Sequence, residues 1–337
     1  MNKLKPLPEE WSGLLNNEQK EAIENINGPL LIIAGAGSGK TRVLTYRYAH
    51  LIKTYGINFE NVLAITFTNK AANEMKDRIS DLLNLELSPK WISTFHSLCV
   101  KMLRIHGHLI GFNNNFTIYD QSDSTKLVRN CMRDSDIDTK QYSPKRIQAH
   151  ISSLKNQRIL PGEAVEFAQS FFDVKVAEIY SSYQKKLMLA NSMDFDDLLI
   201  KAVELLETSD KSLNYWSSKF QYIMIDEYQD TNMVQYRLVE LLASKHKNIC
   251  VVGDSDQSIY AFRGADIRNI EEFESDFKNA KVISLEKNYR SSQKILDIAN
   301  AVISNNPRKK DKKLWTDNDE GLDVNLVEFN SERDESR

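Results

Sequence analysis

The sequence predicts an α/β fold with a parallel sheet, interrupted by an inserted all-helical domain. Short apolar runs recur along the chain, and each is followed by a stretch with helical periodicity. This alternation is typical of parallel sheets, whose strands are buried on both faces. Residues 113–193 lack such runs and show helical periodicity only, for example at Ile147, Ile151 and Leu154. We therefore expect residues 113–193 to be a helical insertion into the sheet domain.

The predicted strands follow one another with helices between them. The apolar run Pro29–Ala34 comes first, and the helix after it places Val43, Leu44, Tyr48, Leu51 and Ile52 on one face. The later strand candidates are Val62–Phe67, Trp91–Thr94, Tyr222–Asp226, Asn248–Asp254 and Val282–Leu285. After these come one helix, to about residue 305, and an alternating stretch, Leu322–Phe329, which we expect to form a strand. A single helix and strand are too small for a core, so residues 286–337 predict the truncated start of another domain.

A phosphate loop is predicted at residues 34–41, Ala-Gly-Ala-Gly-Ser-Gly-Lys-Thr. They fit the pattern Gly-x-x-x-x-Gly-Lys-[Ser/Thr], with Ala34 in the first glycine position. In such loops backbone amides cradle the phosphates, here those of Ala36, Gly37, Ser38 and Gly39. We expect Lys40 to reach the β- and γ-phosphates of ATP and the Thr41 hydroxyl to ligate Mg²⁺. A glycine-rich turn before an ordinary helix is the alternative, which the strand–loop–helix context disfavours.

A pair of carboxylates ends the apolar run Tyr222–Ile225. In phosphate-loop enzymes an aspartate at this point holds Mg²⁺, and a neighbouring glutamate can activate the attacking water. We therefore expect Asp226 to be a metal ligand and Glu227 to be the general base. Acidic residues after a strand also cap helices, and only the phosphate loop makes the catalytic interpretation the stronger one.

Composition narrows the class of protein without identifying a partner. The 337 residues carry 44 Lys and Arg against 47 Asp and Glu, a formal net charge of −3. The size allows about two or three domains. We expect a cytoplasmic protein, because the sequence has no membrane-spanning run and no signal peptide, and its three cysteines lack metal-ligand spacing. With so little excess charge, any contact with DNA must come from a local groove.

Besides the phosphate loop, seven motifs in a fixed order carry a family resemblance. The chain resembles the UvrD/Rep/PcrA group of superfamily 1 DNA helicases, with the PcrA branch the nearest match. The resemblance covers nearly the whole chain. Besides the phosphate loop and the carboxylate motif Asp226–Asp230, the motifs are Leu15–Ala22, Ile65–Met75, Ser93–Leu98, Met193–Leu198, Val252–Ala265 and Leu285–Ser292.

The resemblance implies a 3′→5′ motor on single-stranded DNA, driven by ATP and Mg²⁺. It implies two RecA-like domains, each with a mainly helical insertion. Residues 1–112 and 194–285 then correspond to the first RecA-like domain, residues 113–193 to its insertion and residues 286–337 to the start of the second. The partners implied are single-stranded DNA, single-strand/duplex junctions, and repair or replication proteins. The later motifs of the family are absent, so we expect a fragment that binds ATP and DNA but does not unwind alone.

The resemblance also assigns roles around the nucleotide. Gln19 matches the glutamine that reads adenine, and Arg42 matches a residue that packs near the base. Gln257 corresponds to the glutamine that senses the γ-phosphate. Tyr289 corresponds to the residue that stacks on adenine, and Arg290 to an arginine finger, for which a planar cation suits the developing charge.

For DNA, the resemblance points to aromatic side chains on which bases can stack. These are Phe67, Tyr260 and Phe262, the last standing where tryptophan is more common. Each of them could instead be an ordinary core aromatic. Polar candidates for contacts to phosphates or sugars are Thr66, Asn69, His96 and Arg263.

Two other classes of function fit the same motifs. The chain could be a non-motor ATP-binding switch that gates protein partners, or the motor half of a helicase–nuclease. Stimulation of ATP hydrolysis by single-stranded DNA separates the motor from the switch.

Overall fold

The computed structural model describes residues 4–85, 89–261, 264–306, 312–325, 327–329 and 331–335. Its central feature is a six-stranded sheet in which every neighbouring pair is parallel. The strands of the structure are β1 (Leu30–Ala34), β2 (Val62–Thr66), β3 (Ile92–Thr94), β4 (Thr117–Ile118), β5 (Ser192–Met193), β6 (Tyr222–Ile225), β7 (Ile249–Gly253) and β8 (Lys281–Leu285).

The strand order in the large sheet is β3-β2-β6-β7-β1-β8. Leu31 lies opposite Val251 on one side and Val282 on the other, which fixes the register of β1 at the centre. All the strands of this sheet were predicted from the sequence, so the α/β fold with a parallel sheet is confirmed.

Helices occupy most of the remaining chain. They are α1 (Glu9–Ser12), α2 (Asn17–Glu24), α3 (Lys40–Lys53), α4 (Asn69–Leu83), α5 (Phe95–His106), α6 (Gln121–Asp134), α7 (Pro144–Asn156), α8 (Phe171–Leu189), α9 (Phe195–Thr208), α10 (Asp210–Lys219), α11 (Met233–Ala243), α12 (Arg268–Glu271), α13 (Phe273–Asp276), α14 (Gln293–Ile303) and α15 (Glu332–Glu335). Within the described residues no helix is both long and apolar enough to cross a membrane.

Two hydrophobic cores lie on opposite faces of the sheet. Alternate residues of β1 divide between them, because successive side chains of a strand point to opposite faces. Leu31 and Ile33 pack with α5, α9 and α11, whereas Leu30 and Ile32 pack with α2, α3 and α4. A strand that is buried on both faces has a continuous apolar sequence, and this pattern predicted β1.

The central segment contains α6, α7 and α8, which share a third hydrophobic core of their own. Val128, Ile151 and Tyr180 are among its buried members. At its base, β4 and β5 pair in parallel, with Thr117 opposite Ser192. The sequence analysis missed this pairing, since strands of two residues leave no periodic pattern.

A buried ion pair joins this helical segment to the start of α9. Lys155 of α7 is fully buried, and its Nζ lies 2.7 Å from Asp194 Oδ2 and 2.8 Å from Asp197 Oδ1. Tyr183 of α8 donates a hydrogen bond of 2.8 Å to the same Asp194 oxygen. Asp194 also caps α9 by accepting from the backbone N–H of Asp197. The pair therefore ties α7 and α8 to the N-terminus of α9.

Replacing Lys155 by alanine is expected to lower the free energy of unfolding by about 3–5 kcal/mol, because two carboxylates stay buried without their cation. Urea denaturation measures this loss. Lys186→Ala is the matched control, since Lys186 pairs with Asp134 at the surface and its loss should cost about 1 kcal/mol or less. Equal losses in the two variants would contradict the structural role of Lys155.

The C-terminal residues differ from one expectation. The described parts of the predicted strand, residues 322–325 and 327–329, are not assigned to any strand. Leu322 is 92% exposed and Val327 is 61% exposed. Alternation predicts a strand only where a partner strand is available to pair with it, and none of the described strands lies beside this stretch.

Candidate nucleotide-binding site and aromatic groove

The predicted phosphate loop leaves the carboxyl end of β1 and leads into α3. Gly37 and Gly39 have φ angles of 74° and 93°, a left-handed conformation that favours glycine. Gly39 is the N-cap of α3, and no side chain caps this helix end. The first backbone N–H groups of α3 and its positive dipole end are thus oriented to bind an anion.

Residues from distant parts of the chain support the loop through its carbonyl groups. Gln19 is fully buried, and its Nε2 donates to the Ser38 carbonyl at 3.1 Å. Asn288 Nδ2 donates to the Ala36 carbonyl at 2.6 Å, and the Tyr289 backbone N–H donates to the Gly37 carbonyl at 2.9 Å. With its carbonyls engaged on this side, the loop keeps a fixed shape for its amides.

Lys40 and Glu227 face each other across the site. Lys40 Nζ lies 3.0 Å from Glu227 Oε2, and the two side chains are 11% and 35% exposed. Glu227 has a φ of 50°, directly after β6, and its Oε2 also accepts from Gln229 Nε2 at 2.9 Å. The structure thus brings together the predicted phosphate-binding cation and the predicted general base.

Asp226 lies at the end of β6 and is 8% exposed. Its Oδ1 accepts from the Glu227 backbone N–H at 3.0 Å. Burial, together with the neighbouring Glu227 charge, raises the pKa of the Asp226 carboxyl to about 6, although Lys40 opposes this. A buried carboxylate with an incompletely compensated charge fits a ligand for a divalent cation.

Within the described residues, no group of three or more His, Cys, Asp or Glu side chains is arranged to hold a metal. Mg²⁺ commonly binds through one or two carboxylates together with substrate phosphates. Asp226 and the half-buried Thr41, at the start of α3, fit that mode of binding.

An Asp226→Asn variant tests this site without any assay of activity. Because the pKa of the Asp226 carboxyl in the folded protein lies above 3.8, its usual value for aspartate, the wild type loses stability relative to the asparagine variant as the pH rises through about 6. The difference in unfolding free energy should shift by about 2 kcal/mol in favour of the variant between pH 4 and pH 8. Urea denaturation at a series of pH values measures this shift.

Mg²⁺ provides the second part of that experiment. At pH 8 and a fixed nucleotide concentration, adding Mg²⁺ should raise the unfolding midpoint of the wild type but not that of Asp226→Asn. Asp230→Asn serves as the control, since Asp230 follows closely in the chain and its pKa is also raised to about 6. Equal midpoint shifts in wild type and Asp226→Asn would remove Asp226 from the metal site.

The loop after β7 approaches the same site. Gln257 Nε2 donates to Asp254 Oδ2 at 2.5 Å. The backbone N–H of Asp254 donates to Gln229 Oε1 at 3.0 Å. Gln229 therefore joins the loop that carries Glu227 to the loop that carries Gln257.

The remaining residues that were predicted to bind the nucleotide lie in or near the phosphate loop. Tyr289 is 43% exposed and Arg290 is exposed, and a Cβ placed on Gly37 would lie 2.8 Å from Arg290 Cβ. Arg42 is exposed on the first turn of α3. Gln19 accepts from the Asn16 backbone N–H with its Oε1, so both of its amide atoms are engaged. Their roles toward adenine and phosphate stay predictions.

A second concave region, the aromatic groove, is a cavity of about 730 Å³ between the sheet domain and the helical segment. Phe67 and Tyr260 line it, with ring centroids 5.7 Å apart and planes inclined by 23°. His96 also lines it and makes an edge contact with Phe195 at 6.0 Å. Burial lowers the pKa of the His96 imidazole.

The polar residues that were predicted to contact DNA differ in their exposure. Thr66 is 1% exposed, and its hydroxyl donates to the Thr68 carbonyl at 3.0 Å. Asn69 is exposed at the start of α4. Phe262 and Arg263 lie outside the described residues.

Three residues of the site were not singled out from the sequence. Asn288 holds the phosphate loop, Gln229 connects two loops, and Phe195 exposes 53% of its surface at the groove. Each stands inside a quoted motif, but sequence alone does not separate a member that supports a site from one that faces a ligand.

Comparison with known proteins agrees with this geometry. A sequence model of the UvrD/REP helicase N-terminal domain matches residues 15–278, and one of the UvrD-like helicase C-terminal domain matches residues 283–337. The ATP-dependent DNA helicase PcrA of Staphylococcus aureus (strain Mu50) is 50% identical over 322 residues. The protein of the same name from Staphylococcus epidermidis (strain RP62A) is 49% identical over 322 residues.

Each alignment covers 96% of this chain and 44% of the relative, so the chain spans less than half the length of the curated relatives it matches. The match to the N-terminal family model includes the phosphate loop, the carboxylates and the groove aromatics. The chain belongs to the UvrD/REP helicase family.

Proposed function

We propose that this chain provides the ATP-binding and part of the DNA-binding machinery of an ATP-dependent 3′→5′ DNA helicase and single-strand translocase. Residues 1–112 and 194–285 form its first RecA-like domain, residues 113–193 the helical insertion, and residues 286–337 the start of the second RecA-like domain. Its DNA partners are single strands and single-strand/duplex junctions, and repair or replication proteins are the candidate protein partners.

One observation carries this proposal: the loops that line the nucleotide site continue directly into the aromatic groove. Gln257 and the groove residue Tyr260 belong to one loop, while Glu227 and the groove residue Asn232 belong to the other. The two loops are also bonded to one another, since the Asp266 backbone N–H donates to the Thr231 carbonyl at 2.9 Å. Each loop therefore gives a direct covalent connection between the phosphate end of the site and the groove.

At the nucleotide site, the chain binds and orients the phosphates. The backbone amides of residues 36–39 and the N-terminus of α3 hold the phosphate oxygens, and Lys40 neutralises their charge. Thr41 and Asp226 would hold Mg²⁺ together with the nucleotide, and the bound ion would neutralise further phosphate charge. The Glu227 carboxylate accepts the proton of the attacking water, and Gln257 and Arg290 contact the terminal phosphate.

At the groove, the chain binds bases in preference to phosphates. Phe67 and Tyr260 provide ring faces, which accept any base. Several carboxylates, including Asp120 and Asp196, line the same cavity and repel the phosphate backbone. The phosphate backbone of the strand then lies toward the open side of the groove. Asn69, His96 and Arg263 are the candidate contacts to it that the family resemblance implies.

Single-stranded DNA affinity is expected to fall by roughly 1–3 kcal/mol in Tyr260→Ala and in Phe67→Ala, because each removes one stacking face. Fluorescence anisotropy with a labelled oligonucleotide measures the change. Phe59→Ala is the control. Phe59 is 42% exposed, but it precedes β2, whereas Phe67 follows the other end of that strand. Unchanged affinity in both groove variants, with nucleotide binding intact, would place these rings in the core and not in the DNA site.

The proposed polarity is tested by strand displacement with the intact gene product. A duplex with a 3′ single-stranded tail should be unwound in the presence of ATP and Mg²⁺, and a duplex with a 5′ tail should not. Unwinding of the 5′-tailed duplex alone would overturn the polarity. A rate of ATP hydrolysis that does not change when DNA is added would favour the ATP-binding switch.

A further inference from the structure

Two stretches of the chain cross the phosphate loop side by side. We call residues 286–290 and 312–316 the strap. The Asn288 backbone N–H donates to the Trp315 carbonyl at 2.7 Å, which holds the two stretches together. The strap packs closely on the loop, since a Cβ placed on Gly35 would lie 2.6 Å from the Leu314 side chain.

Lys312 begins the second stretch of the strap and points into the protein. Its side chain is 7% exposed and forms an ion pair with Asp254, whose side chain is 3% exposed. Asp256 Oδ2 lies 3.2 Å from the same ammonium group. Removing a lysine from water is costly unless its charge is compensated, so the two carboxylates are what stabilises this placement.

Asp254 connects Lys312 to the nucleotide site. One of its carboxylate oxygens contacts Lys312, and the other accepts from Gln257 Nε2 at 2.5 Å. Its backbone N–H is bonded to Gln229 Oε1, and Gln229 Nε2 is bonded in turn to Glu227. A continuous series of polar contacts therefore runs from Lys312 on the strap to the pair formed by Lys40 and Glu227.

We infer that Lys312 is a positioning residue for ATP hydrolysis, which holds Asp254 and through it the Gln257 amide when the strap is docked on the phosphate loop. The inference rests on the proposed function. The Lys312 ammonium binds one oxygen of the Asp254 carboxylate, so that the carboxylate is shared between the strap and Gln257. Without it, the buried carboxylate keeps only its hydrogen bonds from the Gln257 amide and from the Asp256 backbone N–H, and it withholds the Gln257 amide from the terminal phosphate.

This arrangement predicts a change in turnover and not in nucleotide affinity. The loop amides and Lys40 are untouched by substitution of Lys312, so the KM for ATP should change by less than about twofold. The kcat measured with single-stranded DNA should fall by about tenfold or more in Lys312→Met, the scale expected for misplacing a group at the reacting phosphate. Lys312→Arg keeps the charge and should recover most of the loss.

The kinetic experiment compares these two variants with Lys313→Met in the intact gene product. Lys313 is the adjacent, exposed lysine, and its loss should leave kcat and KM unchanged. An unchanged kcat in Lys312→Met, or a raised KM at constant kcat, would overturn the inference. So would an arginine variant as impaired as the methionine one.

A second experiment does not depend on activity. Thermal unfolding midpoints are measured for Lys312→Met, Asp254→Asn and the double variant. If the two side chains interact, the double variant is no less stable than Lys312→Met alone, because neutral asparagine no longer needs the cation. Additive losses would overturn the pairing.

The two experiments separate the possible failures. If the rate of ATP hydrolysis by the wild type does not change when DNA is added, the proposed function fails. The unfolding midpoints still show whether Lys312 pairs with Asp254. If Lys312→Met does not fold, the double variant replaces it in the kinetic comparison, with the same expected loss of kcat.

Discussion

ATP hydrolysis by a Lys40→Ala variant is expected to fall to background, a loss of at least about 10³-fold. Lys40 is the first residue of α3 and the side-chain cation of the phosphate loop, and its Nζ lies 3.0 Å from Glu227 Oε2. Without it, the charge that develops on the transferred phosphoryl group loses a fixed positive partner in a partly buried site. Steady-state phosphate release by the intact gene product measures the loss.

The fold should survive this substitution. Glu227 is 35% exposed, so water can solvate its carboxylate when Lys40 is removed. Lys53→Ala is the matched control, because Lys53 lies in the last turn of the same helix and pairs with Glu10 at the surface. Retained turnover in a folded Lys40→Ala protein would remove the phosphate loop from the mechanism.

A Glu227→Gln variant is expected to bind ATP–Mg²⁺ normally but to hydrolyse it about 10²–10⁴ times more slowly. Glutamine has nearly the same shape as glutamate and keeps an oxygen that can accept from Lys40 and Gln229. It cannot accept the proton of the attacking water. Nucleotide affinity, from titration of a fluorescent ATP analogue, and single-turnover hydrolysis together separate binding from chemistry.

Gln229→Ala is a useful comparison for this variant. Gln229 donates to Glu227 and accepts from the Asp254 backbone, so its loss should lower turnover by misplacing groups while leaving the base in place. If ATP binding and hydrolysis fall together in Glu227→Gln, then Glu227 acts on the metal or the fold and is not the base.

The sequence predicted the parts of the structure that depend on local pattern. β1 is an uninterrupted apolar run because both of its faces are buried, and the phosphate loop follows it in a fixed spacing. Lys40 and Glu227 were each predicted for the nucleotide site, and the contact between them has a geometric basis. Both residues follow strands of a parallel sheet, whose carboxyl ends share one edge, so their side chains meet although 187 positions separate them.

What sequence could not predict depends on contacts between distant residues. Asn288 reads as one polar residue among several in its motif, yet only the fold brings its amide to the Ala36 carbonyl. Lys312 stands in a basic stretch that is typical of a solvated surface, and its burial depends on Asp254 and Asp256. The Thr66 hydroxyl donates to the Thr68 carbonyl, a contact that the sequence did not indicate, and its role toward DNA stays a prediction.

We propose that these residues form an ATP site whose hydrolysis depends on DNA bound in the aromatic groove. Steady-state ATP hydrolysis by the intact gene product, with and without single-stranded DNA, tests it most directly. We expect the rate to rise with DNA to a plateau, and Tyr260→Ala to need more DNA for half of that rise. A rate that is the same with and without single-stranded DNA would contradict the account.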